Sequence, residues 1–176
     1  MKILYAIQGT GNGHISRARE IVPLLQPYGD LDLLISGSQA DVQLTQAVKY
    51  QFHGFSYIFG KKGGIDYWKT FKTMRLGQFW KDMNSIPLAD YDLIINDFEP
   101  VSAWAAKRAG KKVIGISHQN AFFYDIPKAD SNFVTDWFMH NFAPVTQPIG
   151  LHWHHFNQPI LPPLVEPSHY PNISTP

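Results

Sequence analysis

Two side chains stand where a proton could be moved. His14 closes the stretch Gln8-Gly9-Thr10-Gly11-Asn12-Gly13-His14, where glycine recurs at every second position before a helix-like run. Asp97 follows the apolar run Leu93-Ile94-Ile95. A histidine in the first turn of a helix is favoured as neutral imidazole by the helix terminus, the form a general base needs. A carboxylate facing it would fix its tautomer and steady the imidazolium. Each residue also has a plainer role: His14 as a loop histidine bonded to a carbonyl, Asp97 as the N-cap of the helix that follows it. Glu99 competes with Asp97 as the partner of His14.

The glycine loop itself has three readings. A dinucleotide loop needs G-x-G-x-x-G and an acid about 20 positions later for a ribose. Gly9 and Gly11 fit, but the third glycine position holds His14, Gly13 comes one place early, and Ser36-Gly37-Ser38 offers no acid. A mononucleotide P-loop is excluded because no Gly-Lys-Ser/Thr follows. What remains is a loop whose amides, with the helix start, accommodate a phosphate or diphosphate over Gly9, Thr10, Gly11, Asn12 and Gly13. A further polar group is His118-Gln119-Asn120, followed after Ala121 by Phe122 and Phe123. Amides beside aromatics suit a sugar or another polyol; the plainer role is a polar strand cap above core phenylalanines.

These groups need a frame that brings loop ends together. Residues 3–7 and 31–35 are continuous apolar runs that read as buried strands, with helical spacing at 15–26 between them. Gly37-Ser38 opens a second helix to about Val48. A strand is expected at 91–95, a helix at 100–109 stopped by Gly110, and a strand at 113–117. A helix follows from about 129 to 141, and 147–156 is extended. Alternating strands and helices predict an α/β fold with a Rossmann-like parallel sheet and helices on both faces. In such a sheet His14, Asp97 and His118 all lie at the carboxyl edge, where ligands bind. The expected division is a domain at 1–157 and a proline-rich linker or tail at 158–176, whose six prolines prevent regular structure.

The composition sets outer limits. A chain of 176 residues with 44% hydrophobic residues can build one domain with a sizeable core. A formal net charge of +1 gives no field for nucleic acid, and the absence of cysteine excludes thiolate metal sites and cysteine nucleophiles. No acidic cluster suggests a metal. The start has too short an apolar run for a signal peptide or membrane span, which makes a cytoplasmic location the expectation and the Asn172-Ile173-Ser174 sequon irrelevant. Residues 61–85 carry six Lys or Arg against two Asp among many aromatics. They read either as a packed helix with snorkelling lysines or as a surface for an acceptor or lipid headgroup.

"GTGNGH" after the first strand, "NDFEPVSAWAAKRAGKKVIGISHQN" in the second half and the "PILPPLVEP" exit together resemble the N-terminal, acceptor-side domain of GT-B glycosyltransferases related to the peptidoglycan N-acetylglucosaminyltransferase. The resemblance runs from residue 1 to about 166. It implies one half of a two-domain enzyme that moves a sugar from a nucleotide-sugar, UDP-linked, to an acceptor hydroxyl with inversion and without a metal or a cofactor of its own. It further implies His14 as general base with Asp97 as its partner, and the glycine loop near the diphosphate. Glu99, His118, Gln119 and Asn120 fall on the acceptor side. The family's glutamate between His118 and Gln119 is missing. The donor would sit on a second domain, so that residues 1–176 are a piece of a longer enzyme or a natural single-domain subunit. The acceptor would be a sugar, a lipid-linked group or a small molecule, with peripheral contact to the inner face of the membrane. Two other classes stand beside this: a non-catalytic subunit that recruits a donor-binding partner to an acceptor or membrane, and a flavodoxin-like nucleotide-binding module.

Overall fold

A computed structural model describes residues 1–37, 44–54, 75–127 and 133–164. Seven strands form one sheet: β1 (Lys2–Gln8), β2 (Asp30–Ser36), β3 (Tyr50–Phe52), β4 (Leu93–Asp97), β5 (Ile114–Ser117), β6 (Gln147–Leu151) and β7 (Ile160–Leu161). Every pairing is parallel, in the order β3-β2-β1-β4-β5-β6-β7. This is the Rossmann-like order, with a topological switch between β1 and β4.

The central strands alternate strictly between two cores, as a period of two demands. Ile3, Tyr5 and Ile7 of β1 point to α1 (Asn12–Leu25) and pack on its Ile15, Ala18, Ile21 and Val22. Leu4 and Ala6 point the other way, towards α2 (Leu76–Ser85) and α3 (Pro100–Arg108), meeting Met83, Val101 and Ala105. The sheet is therefore covered on both faces, as the continuous apolar runs predict. A fourth helix, α4 (Phe133–Phe142), adds Phe142 to a small cluster with Phe98 and Ala103.

Several local expectations are corrected. Helix α1 starts at Asn12 rather than Ile15, because Gly11 at φ 91° turns the chain directly into the first turn; Gly13 and His14 are thus helical. Residues 44–48 are not helical and lead into β3, a strand too short to show alternation; the start of that expected helix at 38–43 lies outside the described residues. The helix expected from about 129 begins, as described, at Phe133, with 129–132 outside the described residues. Extended pairing over 147–156 stops at Leu151. Ile160–Leu161 pairs with β6 despite the prolines around it, since an edge strand needs ladder bonds on one side only. Of the aromatic and basic stretch, only 75–85 is described, and 76–85 of it is α2.

Gly150 in β6 is required by close approach. A Cβ there would lie 2.7 Å from the Ala121 Cα and 2.9 Å from the Ile160 Cγ1. Gly150→Ala is expected to lower stability by about 1–3 kcal/mol, read as a lower denaturant midpoint at unchanged slope. An unchanged midpoint would contradict the packing of β6 against the turn after β5.

Candidate functional site

The site forms at the switch between β1 and β4. Asp97 pairs with Ile7 and Ile95 with Tyr5, so the alternation of β4 aims Ile95 and Asp97 at the α1 face. His14 and Arg17 stand three apart on α1 and so share one side of that helix. The helix crosses above the end of β4, and the three side chains meet.

His14 Nδ1 lies 2.8 Å from Asp97 Oδ1. Arg17 grips the same carboxylate with two bonds, Nε to Oδ2 at 2.8 Å and Nη2 to Oδ1 at 2.7 Å. Arg17 Nη2 is also 3.0 Å from His14 Nδ1. A carboxylate at 2.8 Å from a ring nitrogen needs a proton between them, so Nδ1 donates to Asp97, and in the neutral ring the lone pair is then on Nε2. Asp97 has no exposed surface, whereas the His14 side chain is 12% exposed, so of these two it is the histidine that can meet a ligand.

Burial by itself would raise the Asp97 pKa. The charges and hydrogen bonds of His14 and Arg17 outweigh it and hold the carboxyl below its ordinary 3.8. Burial likewise disfavours the Arg17 guanidinium, and Asp97 more than compensates, so the cation persists. Beneath them, burial first and the Asp97 charge second raise the Tyr5 phenol well above its usual range, so it stays protonated.

The glycine loop is built for clearance. A Cβ at Gly9 would meet Ile35 Cγ2 at 2.8 Å and the Gly37 carbonyl at 2.9 Å, because Gly9 donates its N–H to the Ser36 carbonyl. Gly11 caps α1 at a φ reserved for glycine and brings no side chain of its own to the helix end. Around Gly13 there is open space, with nothing within 4 Å of where a Cβ would be. Thr10 is held by Gln8 Nε2 at 2.9 Å, and Asn12 and Gly13 are exposed. The loop therefore puts a helix start beside open space at Gly13, where an anion can approach.

Glu99, placed on the acceptor side by the sequence, is corrected. It is fully buried and caps α3, accepting from the Val101 N–H at 2.6 Å and the Ser102 N–H at 2.7 Å. Ser36 Oγ donates to it at 2.6 Å. Its pKa is raised because burial outweighs these bonds and no cation is among them. The helix cap expected of Asp97 is thus supplied by Glu99. Between the two, Phe98 sits at φ 55°, a left-handed residue that reverses the chain and buries its ring 5.0 Å from that of Phe142.

The third polar group follows β5, two strands from β1 and so about 10 Å along the edge. His118 is exposed, with Nδ1 donating to the Leu151 carbonyl at 2.9 Å and Nε2 left for a ligand. Its ring meets Phe122 edge-on at 5.9 Å and stacks on His152 at the same distance. Gln119 is half-buried, its Oε1 buried without a partner. Asn120 is 1% exposed, so it is not at the cleft surface, and its N–H bonds to Ser117 Oγ. Two features escaped the sequence reading. Arg17 was legible in principle, three residues after His14. The other is a groove of about 450 Å³ between α2, α3 and α4, lined by Phe79, Trp80, Trp104, Trp137 and Phe142 among others. Its lining comes from helices far apart in the chain. Among the described residues, no group of three His, Asp or Glu side chains is placed to hold a metal, and no helix is long and apolar enough to cross a membrane.

Comparison with known proteins follows the geometry. A family model described as Glycosyl transferase family 1 matches residues 1–137. A crystal structure of MurG from Acinetobacter baumannii aligns over 81% of this chain at 15% identity and a TM-score of 0.38. The chain spans 39% of that MurG chain. No curated protein matches.

Asp97 links the site to stability. Its lowered folded pKa means that it adds stability fully present above 3.8 and lost as the pH falls through the folded value. Asp97→Asn strands the Arg17 charge and is expected to cost about 3 kcal/mol at pH 7. The gap between variant and parent should narrow only below that pH of 3.8, as urea unfolding across the acid range would record. A gap independent of pH would rule out an ionised Asp97.

Proposed function

Since the chain belongs to glycosyl transferase family 1, we propose that it is the acceptor-binding half of an enzyme that transfers a sugar from a nucleotide-sugar, UDP-linked, to an acceptor hydroxyl. The observation that carries this reading is the His14–Asp97 contact at 2.8 Å, at the sheet's switch point and beside a helix start that opens on glycine. In the proposed reaction the acceptor hydroxyl gives its proton to His14 Nε2. Its oxygen attacks the anomeric carbon from the side opposite the diphosphate, and the bond to the diphosphate oxygen breaks with inversion. Asp97 supports the imidazolium through Nδ1. The amides at Gly11, Asn12 and Gly13 offset charge on the departing diphosphate. His118 and Gln119 contact the acceptor. A donor-binding half, on the same chain or a partner chain, completes the cleft. The reading needs no cofactor beyond the donor substrate.

A screen of UDP-sugars against sugar, lipid-linked and small-molecule acceptors, with the donor-binding half present, tests it directly. His14→Ala should lower turnover by about 10²–10⁴-fold while donor binding holds. Turnover within a fewfold of the parent would remove His14 as the base.

The groove supports a second reading, recruitment to a membrane. Leu76, Trp80 and Trp137 at its rim are more than half exposed. Arg108 lies 4.0 Å over the Trp80 ring and Lys107 4.7 Å over that of Trp104. Apolar side chains with two cations beside them suit an anionic bilayer surface, at the inner face of the membrane. Sedimentation with phosphatidylglycerol vesicles should therefore fall several-fold in a Trp80→Ser, Trp137→Ser double variant. Equal sedimentation of variant and parent would discard this surface.

A further inference from the structure

Arg17 is the charged group at the site that the proton transfer above leaves without a role. The two oxygens of Asp97 accept three hydrogen bonds, and Arg17 supplies two of them. The Arg17 side chain is itself only 13% exposed, so the pair is set into the protein rather than laid on it. A bidentate guanidinium fixes both the plane and the charge of a carboxylate, where one bond from an imidazole would leave it free to turn. The plane matters because Oδ1 must meet the Nδ1 proton of His14. Arg17 Nη2 is also 3.0 Å from that same ring nitrogen, so the guanidinium borders both partners of the contact.

We propose that Arg17 is a positioning residue for His14: its fork holds Asp97 so that the neutral ring carries its proton on Nδ1 and presents a bare Nε2. The inference rests on the reading of His14 as the base, but it concerns the state of the ring and not the reaction. The ionisable groups acting on Asp97 are His14 and Arg17 from α1, with Tyr5 from β1 underneath as a phenol that stays protonated. Removing Arg17 leaves the Asp97 carboxylate with the single bond from His14. Replacing it with lysine keeps the charge and loses the fork.

Nitrogen-15 NMR of the histidine rings in this chain, with His14→Ala to assign the signals, reads the tautomer without any turnover. The parent should show the Nδ1–H tautomer of His14 when the ring is neutral. Arg17→Gln should mix the tautomers of the neutral ring. Arg17→Lys, which keeps the charge but not the fork, should leave them mixed as well. An Nε2–H ring in the parent would overturn the proposal, as would a folded Arg17→Gln whose neutral ring stays purely Nδ1–H. Should Arg17→Gln not fold, Arg17→Lys decides: mixed tautomers support the proposal and a purely Nδ1–H ring overturns it. A chain that passes this test yet moves no sugar in the donor and acceptor screen would separate failure of the transferase reading from failure of the Arg17 assignment.

Discussion

A carboxylate without solvent is the constraint around which the site is arranged. Asp97 ends a strand in the middle of a seven-stranded sheet and has no exposed surface. Such a charge persists only if positive and hydrogen-bonding partners replace the water it has lost. The partners come from α1, and α1 can deliver them because Gly11 starts the helix early enough to place His14 and Arg17 above the strand end. The loop's clearance, the helix start and the ion pair are thus parts of one arrangement.

The neighbouring carboxylate shows how much the partners matter. Asp97 and Glu99 are two residues apart and equally buried, yet their acidities move in opposite directions. Asp97 meets a guanidinium and an imidazole. Glu99 meets one hydroxyl and two peptide N–H groups, and dipoles do not offset its burial. The left-handed turn at Phe98 sends them apart, one to the α1 face and the other to the start of α3. Asn96 secures that turn from within, taking the Glu99 N–H on Oδ1 at 3.0 Å and donating to the Glu99 carbonyl at 2.7 Å.

The parallel sheet was legible because its central strands are uninterrupted apolar runs, and the carboxyl edge followed from the order of strand, loop and helix. The meeting of His14 with Asp97 followed from that edge. The roles of Asp97 and Glu99 were less legible, since both precede a helix by a plausible capping distance and only the sign of φ at Phe98 decides between them. Nothing in the sequence pattern separates Arg17 from a solvated charge on a helix. Strands β3 and β7, of three and two residues, are too short for a period to register. The aromatic groove arises from α2, α3 and α4, which no local pattern joins.

Phe98 has a consequence for anyone who would alter this protein. Its ring belongs to the cluster of Ala103, Phe142 and Ala143, with Phe79 and Phe138 packed against it, and Phe79, Phe138 and Phe142 also line the groove. Its backbone is the single link between Asp97 and Glu99. The groove wall and the geometry at the head of the sheet therefore share one residue of covalent chain. Reshaping the groove by changing side-chain volume there pulls on the carboxylate a peptide unit away, so the two regions have to be redesigned together.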